Sequence, residues 1–199
     1  MEVAFMDSSS SIPDVEINNE AARQMARDLE DFQKVEQGKL PYSLRTYTWE
    51  TSCITIGWRQ KPEQVLNPNQ LEIAKRPTGG GIVFHRLGEF TYCLVLPLGH
   101  SGLPVGILES CNFLSQAILA ALHQIGIEAR LADGTASPSA DLCFAEPAAY
   151  EIVYKGKKIV GSAQKRGKHA LLQQGTFNLE LPQNFGSILE NSFRKLLRI

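Results

Sequence analysis

The chain has 199 residues, enough for one domain that buries roughly 70% of its unfolded surface without help from disulfides or metals. Twenty basic and twenty-one acidic residues leave a formal net charge of −1 with no long basic run, which excludes a nucleic-acid-binding footprint and points to a protein or small-molecule partner. The start is acidic and polar, so it reads as neither signal peptide nor anchor. No apolar span of about 18 residues occurs either, and the expectation is a soluble, cytoplasmic protein that engages no membrane.

Residues 1 to 13, with a serine run, read as a flexible arm ahead of a single domain over 14–199. From Asn18 or Asn19 as cap, Ala22, Met25, Leu29 and Phe32 fall on one stripe and predict an amphipathic helix that Gly38 and Pro41 end. Two short strands are expected at 44–49 and 53–58, followed by a looped or helical link through Pro62 and the Asn-Pro-Asn at 67–69.

The stretch from Lys75 to Tyr92 then places three consecutive glycines, Gly79, Gly80 and Gly81, between Arg76 and Thr78 on one side and an alternating run, Ile82 and Phe84, on the other. Glycine reaches positive φ at no steric cost, so such a turn lets backbone approach a ligand closely. Residues 90–96 are too continuously apolar for an exposed edge and predict a central strand.

Ile107, Cys111, Leu114, Ile118, Ala121 and Ile125 repeat at helical spacing, with Pro104 ahead and Gly126 closing, and Cys111 reads as a structural residue of that stripe. A partner strand is expected at 127–132. Residues 133–148, rich in Gly, Pro, Ser and Ala, lack any period and read as a long loop of the kind that often carries function. A meander follows, with strands at 149–154, 157–164, 169–174 and 175–181 and turns at Lys155-Gly156 and near Gly167. Phe185, Leu189, Phe193 and Leu196 predict a closing helix. Consecutive runs of strands favour an α+β domain with a mixed, largely antiparallel sheet.

Walker, GxGxxG, HExxH and GxSxG signatures are all absent. The four cysteines are widely spaced without a CxxC pair, against a zinc site or a disulfide framework. Cys143 stands apart because it lies in the long loop. A free thiol titrates near about 8.5 and needs a nearby cation to become a good nucleophile. Lys157, Lys158, Lys165, Arg166 and Lys168 on the following strands are the candidates.

Arg76-Pro77-Thr78-Gly79-Gly80-Gly81 with Val83 and His85, followed by Lys158 to Gln164 and by Gly175-Thr176, resembles the lipoate-protein ligase and octanoyltransferase family from Asn18 to Leu181. The loop carrying Cys143 ahead of Tyr150-Glu151 is most like the cysteine-dependent octanoyltransferase branch, also called LipM. The resemblance implies a biotin- and lipoate-ligase-like α+β fold, with Cys143 taking an acyl chain from acyl carrier protein and Lys158 assisting. It implies a substrate slot walled by Arg76, Thr78, Gly79, Gly80, Gly81, His85, Gly161, Ser162, Ala163, Gly175 and Thr176.

His85 reads either as a substrate contact or as a structural hydrogen-bonding group ending a strand. The acceptor would be a lipoyl-carrier domain such as glycine-cleavage H protein or a 2-oxoacid dehydrogenase E2. No cofactor is expected, a thioester being already activated. ATP enters only in the alternative of a lipoate-protein ligase, with Arg76 and Lys158 steadying an acyl-adenylate. A non-catalytic binder of acylated carrier proteins is the third reading.

Four departures from the family pattern stand out: Gln174 where histidine is common, Arg86 after the histidine, Cys93 where serine is common, and an end at Ile199, from which a single domain without the accessory C-terminal domain of many ligases is expected. Cys93, set in an apolar strand, reads as buried and structural.

Overall fold

The structure is a computed structural model, and it describes residues 20–132 and 151–199. The expected N-terminal arm at 1–13 and the expected loop at 133–148, Cys143 included, fall within residues 1–19 and 133–150, which lie outside the described residues.

Two sheets share one helix. In chain order the elements are α1 (Glu20–Glu36), β1 (Ser43–Thr48), β2 (Cys53–Ile56), β3 (Glu72–Lys75), β4 (Val83–His85), β5 (Phe90–Pro97), α2 (Ile107–Gln124), β6 (Arg130–Leu131), β7 (Ile152–Tyr154), β8 (Lys157–Arg166), β9 (Ala170–Phe177) and α3 (Phe185–Leu197). The larger sheet runs β1-β5-β9-β8-β7-β6 with every pair antiparallel. The smaller runs β3-β2-β4, parallel on one side of β2 and antiparallel on the other. This is the expected α+β class.

Apolar residues of α2 and α3 cover one face of the large sheet, packing Leu114, Ile118, Leu122, Phe185, Leu189 and Phe193 against Tyr92, Leu94, Leu96 and Phe177. Each such side chain, fully buried, contributes about 1.5–3 kcal/mol. Helix α1 covers the opposite face through Phe32 and Val35 and reaches the small sheet through Ala21 and Met25. The groove between the sheets is therefore roofed by α1. Glu36, at the end of that helix, accepts the backbone N–H groups of Lys168, His169 and Ala170 at 2.6–3.0 Å and so ties α1 to the turn after β8.

Several expectations need correction. The buried stripe of α1 is Ala21, Met25, Asp28, Phe32 and Val35, while Leu29 is exposed, because the helix turns a carboxyl inward. On β4 the inward residues are Val83 and His85, whereas Phe84 faces out. Residues 169–174 and 175–181 do not form two strands: one continuous β9 crosses the glycine that was read as a break. Only Arg130–Leu131 of 127–132 is strand, Leu197 rather than Leu196 closes the α3 stripe, and Ile107 is exposed at the start of α2. The Lys155-Gly156 hairpin holds, both residues having positive φ, 48° and 75°.

Candidate active site

The residues after β3 fold back over β8, and one guanidinium organises them. Arg76 is buried, with Nη1 donating to Thr55 O at 2.7 Å and Thr55 Oγ1 at 2.8 Å. Its Nη2 donates to the carbonyls of Gly79 at 3.1 Å and Gly81 at 2.6 Å. Charge-assisted bonds of this kind are about twice as strong as neutral ones, and these wrap the glycine turn around Arg76. Gly80 sits at φ 92°, and a side chain there would stand 3.3 Å from Arg76 Nη2, with Ala163 on β8 in ordinary contact at 3.8 Å. The turn also lies directly on Gly57, which was expected inside the strand at 53–58 and instead follows the end of β2 at Ile56.

Beneath the turn is a narrow cavity of about 40 Å³. The glycine segment contributes Arg76, Thr78 and His85 to its lining, β8 contributes Gly161, Ser162 and Ala163, and β9 contributes Gly175 and Thr176. Three separated motifs thus converge on one space. Gly79, Gly80 and Gly81, all expected to wall the slot, form the turn above it and are not among the lining residues, the carbonyls of Gly79 and Gly81 being turned to Arg76. Met25, Tyr47, Trp49, Thr55 and Thr91 also line it and were missed, since each reads in sequence as ordinary core or strand filler, while Val83 and Gln174, both noted within the family motifs, line it without having been named as site residues.

Thr78 is fully buried and donates its hydroxyl to Gln174 Oε1 at 2.8 Å. Gln174 Nε2 passes the connection to Asp28 Oδ2 at 2.7 Å, and Asp28 also accepts from Tyr47 OH at 3.2 Å and pairs with Arg45. Burial pushes the Asp28 carboxyl above its ordinary value, opposed by the Arg45 charge and by hydrogen bonds from Gln174, Cys93 and Tyr47. Gln174, the departure from the family's histidine, is thus a neutral bridge joining the glycine turn, β9 and α1. Cys93 is buried, and the lost hydration with the nearby Asp28 carboxyl pushes its thiol up, which suits a structural role.

His85 is stacked on Trp49 with ring centroids 4.3 Å apart. Its Nδ1 lies 2.8 Å from Glu89 Oε1 and its Nε2 2.8 Å from Thr55 Oγ1. A carboxylate offers no donor, so Nδ1 carries the proton and Nε2 accepts from the Thr55 hydroxyl, whose oxygen in turn accepts from Arg76. Burial holds the imidazole below the usual histidine range, opposed by Glu89 and reinforced by Arg76. Glu89 Oε1 accepts a second hydrogen bond, from Thr176 Oγ1 at 2.6 Å; Thr176 accepts from Thr91 at 3.1 Å, and Thr91 from Trp49 Nε1 at 2.9 Å. Both ring nitrogens of His85 are therefore satisfied within the protein. Arg86 is exposed and donates to Asn178 Oδ1 at 2.5 Å.

On β9, Gly175 is required by packing: a Cβ there would stand 2.3 Å from Tyr92 Cε1 and 2.8 Å from Ser162 Oγ. The Tyr92 phenol, 3.0 Å from Ser162 Oγ and accepting from Gln173 at 2.7 Å, fills the space the glycine leaves.

Lys158 precedes Gly161 on β8. The register slips where β7 meets it, Ile152 facing Val160 but Val153 facing Lys158, so β8 carries an extra residue at that point. Such bulges re-aim side chains. Lys158 is buried, and its Nζ donates to Glu151 Oε1 at 2.5 Å. Within the described residues, this places the Lys158 amine on the strand that walls the cavity and eight residues after the end of the 133–150 segment that holds Cys143.

Residues 20–197 match the family model of the lipoyl protein ligase A/B catalytic domain. The chain is 34% identical over 173 residues to the octanoyltransferase LipM of Kyrpidia tusciae, covering 81% of this chain and 63% of that protein. It is 35% identical over 161 residues to the octanoyltransferase LipM of Lysinibacillus sphaericus, covering 74% of this chain and 58% of that protein. The chain thus spans about three-fifths of the length of these curated relatives. Among solved structures, a bi-partite lipoate protein ligase of Thermoplasma acidophilum, determined as part of a lipoylation system with its E2 lipoyl domain, superposes with a TM-score of 0.64 at 18% identity over 87% of this chain and 80% of that one. That likeness is one of fold.

Proposed function

Because the chain belongs to the lipoyl protein ligase A/B catalytic-domain family, we propose that it is an octanoyltransferase, moving an octanoyl group from acyl carrier protein to a lysine of a lipoyl-carrier domain through a thioester on Cys143. The observation that carries this reading is the position of Lys158, a buried amine on the strand whose Gly161 to Ala163 segment walls the cavity.

In the first half-reaction the Cys143 thiolate attacks the carbonyl of the carrier thioester, and the carrier thiol leaves with the proton that Cys143 gave up. In the second, the acceptor lysine amine attacks the Cys143 thioester, the C–S bond breaks, an amide forms, and the amine proton returns to the thiol. The Lys158 ammonium favours the thiolate and opposes the negative charge that develops on each tetrahedral oxygen. The acyl chain enters between the glycine turn and β8, where the space of about 40 Å³ has to widen to take eight carbons. Each methylene then buried contributes about 0.8 kcal/mol.

The ATP-dependent alternative asks Arg76 to steady an acyl-adenylate. All four Nη hydrogens of Arg76 are already directed at Thr55, Gly79 and Gly81, which leaves that role poorly supported. No ATP is needed in the proposed reaction.

The test is intact-mass spectrometry after incubation with octanoyl carrier protein. An acyl adduct that disappears in Cys143→Ala is expected; no adduct, or one that persists in that variant, overturns the reading. Lipoylation from free lipoate and ATP that survives Cys143→Ala would establish a ligase instead, and carrier binding without turnover a binder.

A further inference from the structure

We infer that Glu89 is a positioning residue for the acyl slot, holding the glycine-segment wall and the β9 wall at a fixed separation and fixing the tautomer of His85. The kinetic part of this inference rests on the acyl-transfer reading above; the tautomer part does not.

Two walls of the cavity come from stretches far apart in the chain, and besides the β5–β9 ladder and its threonine contacts, two side-chain links join the glycine segment to β9 at the cavity. One tie is Thr78 to Gln174. The other passes through a single oxygen: Glu89 Oε1 accepts from His85 Nδ1 at 2.8 Å and from Thr176 Oγ1 at 2.6 Å. The Glu89 side chain is only 6% exposed, so neither bond is exchanged readily for water. Both donors line the cavity, whereas Glu89 stands behind them.

The direction of the hydrogen bonds extends the effect to the glycine turn. With Glu89 as acceptor, His85 keeps its proton on Nδ1 and offers a bare Nε2 to the Thr55 hydroxyl. Thr55 Oγ1 is then free to accept from Arg76, whose other nitrogen grips the Gly79 and Gly81 carbonyls. Remove the acceptor and the favoured tautomer reverses. His85 then donates from Nε2 to an oxygen that Arg76 already donates to, the Thr55 proton has to turn elsewhere, and the turn loosens. Oε2 makes only a 3.9 Å approach to the Arg86 guanidinium, so the charge matters less than the one oxygen.

The experiment compares Glu89→Leu with Glu89→Gln. Glutamine keeps an oxygen at the Oε1 position, while leucine fills the volume and accepts nothing. Long-range ¹H–¹⁵N spectra of the four histidines, assigned by single replacements, report the tautomer of His85. Wild type and Glu89→Gln are expected to show the proton on Nδ1, and Glu89→Leu on Nε2. With octanoyl carrier protein as donor, Glu89→Leu should raise KM about tenfold or more with a smaller change in kcat, and Glu89→Gln should restore most of it, a loosened slot being a misplacement of substrate.

Thr176→Val cuts the other half of the tie and provides a test should the leucine variant not fold: KM rises while the His85 tautomer stays as in wild type. An unchanged tautomer in Glu89→Leu overturns the inference, as does an unchanged KM in Thr176→Val with active enzyme. If wild type transfers no octanoyl group, the acyl-transfer reading fails, and the tautomer comparison still decides the part played by Glu89.

Discussion

Gly57 and Gly80 meet through backbone alone: a methyl group on Gly57 would stand 2.3 Å from the carbonyl oxygen of Gly80. That carbonyl belongs to a turn whose neighbouring carbonyls are held by Arg76, so it has little freedom to retreat. Gly57→Ala should cost about 1–3 kcal/mol in urea unfolding, the usual range for forced overpacking. Gly79→Ala, with nothing within 4 Å of the added carbon, should stay within about 0.5 kcal/mol. Equal costs for the two would contradict the close approach.

Removing the Lys158 amine should act on the chemistry. Lys158→Ala is expected to lower kcat for octanoyl transfer by about 10²–10³-fold, the range for losing one oxyanion-stabilising donor. Single-turnover acylation of Cys143, followed by mass spectrometry, measures the step directly. A variant that acylates at the wild-type rate would remove Lys158 from the mechanism.

Asp28 gives stability one pH dependence. Its folded carboxyl binds a proton more tightly than the unfolded one, so its contribution is complete below the ordinary aspartate value of about 4 and is lost as pH rises through the raised folded value. Asp28→Asn cannot titrate. The stability of wild type relative to this variant should therefore fall as pH rises from about 4 toward neutrality. Urea unfolding at a series of pH values checks it, and a relative stability that climbs over that window would reverse the assignment.

His85 acts in the opposite direction. Its folded imidazole binds a proton less readily than the unfolded one, so stability is present above about 6.5 and drains away as pH falls toward the lowered folded value. NMR titration should place the His85 midpoint below the ordinary histidine value, and His85→Gln should flatten that part of the stability profile. A midpoint at the ordinary histidine value would show that burial does not control the ring.

The sequence made the repeating features legible. Helix α2, helix α3 and the Lys155-Gly156 hairpin follow from spacing and turn chemistry, which act locally. The glycine turn and the two later motifs were recognisable as partners because three short signatures occur in family order. What escaped was set by tertiary context. Gly175 looked like a strand break and is instead the hollow for Tyr92 within one strand. Asp28 broke the apolar stripe of α1 because its partners Arg45 and Gln174 come from other elements. Glu89 carried no signal of its own in the sequence, since its two donors are brought together only when β9 lies beside β5. The short strand β3, with charged residues at both ends, carries no alternation that would betray it.

Strand β9 lies between β5 and β8, and this placement governs the order in which the molecule can be made. Its pairing with β8 closes across a short turn, whereas the Thr91–Thr176 contact with β5 joins residues 85 apart. Loop-closure entropy must be spent before contacts of that span repay it, so the hairpin forms readily and its docking is slow. Until it docks, the inner edge of β5 is an unpaired row of backbone donors and acceptors, open to a second chain. The same docking event therefore closes the vulnerable edge and creates the slot.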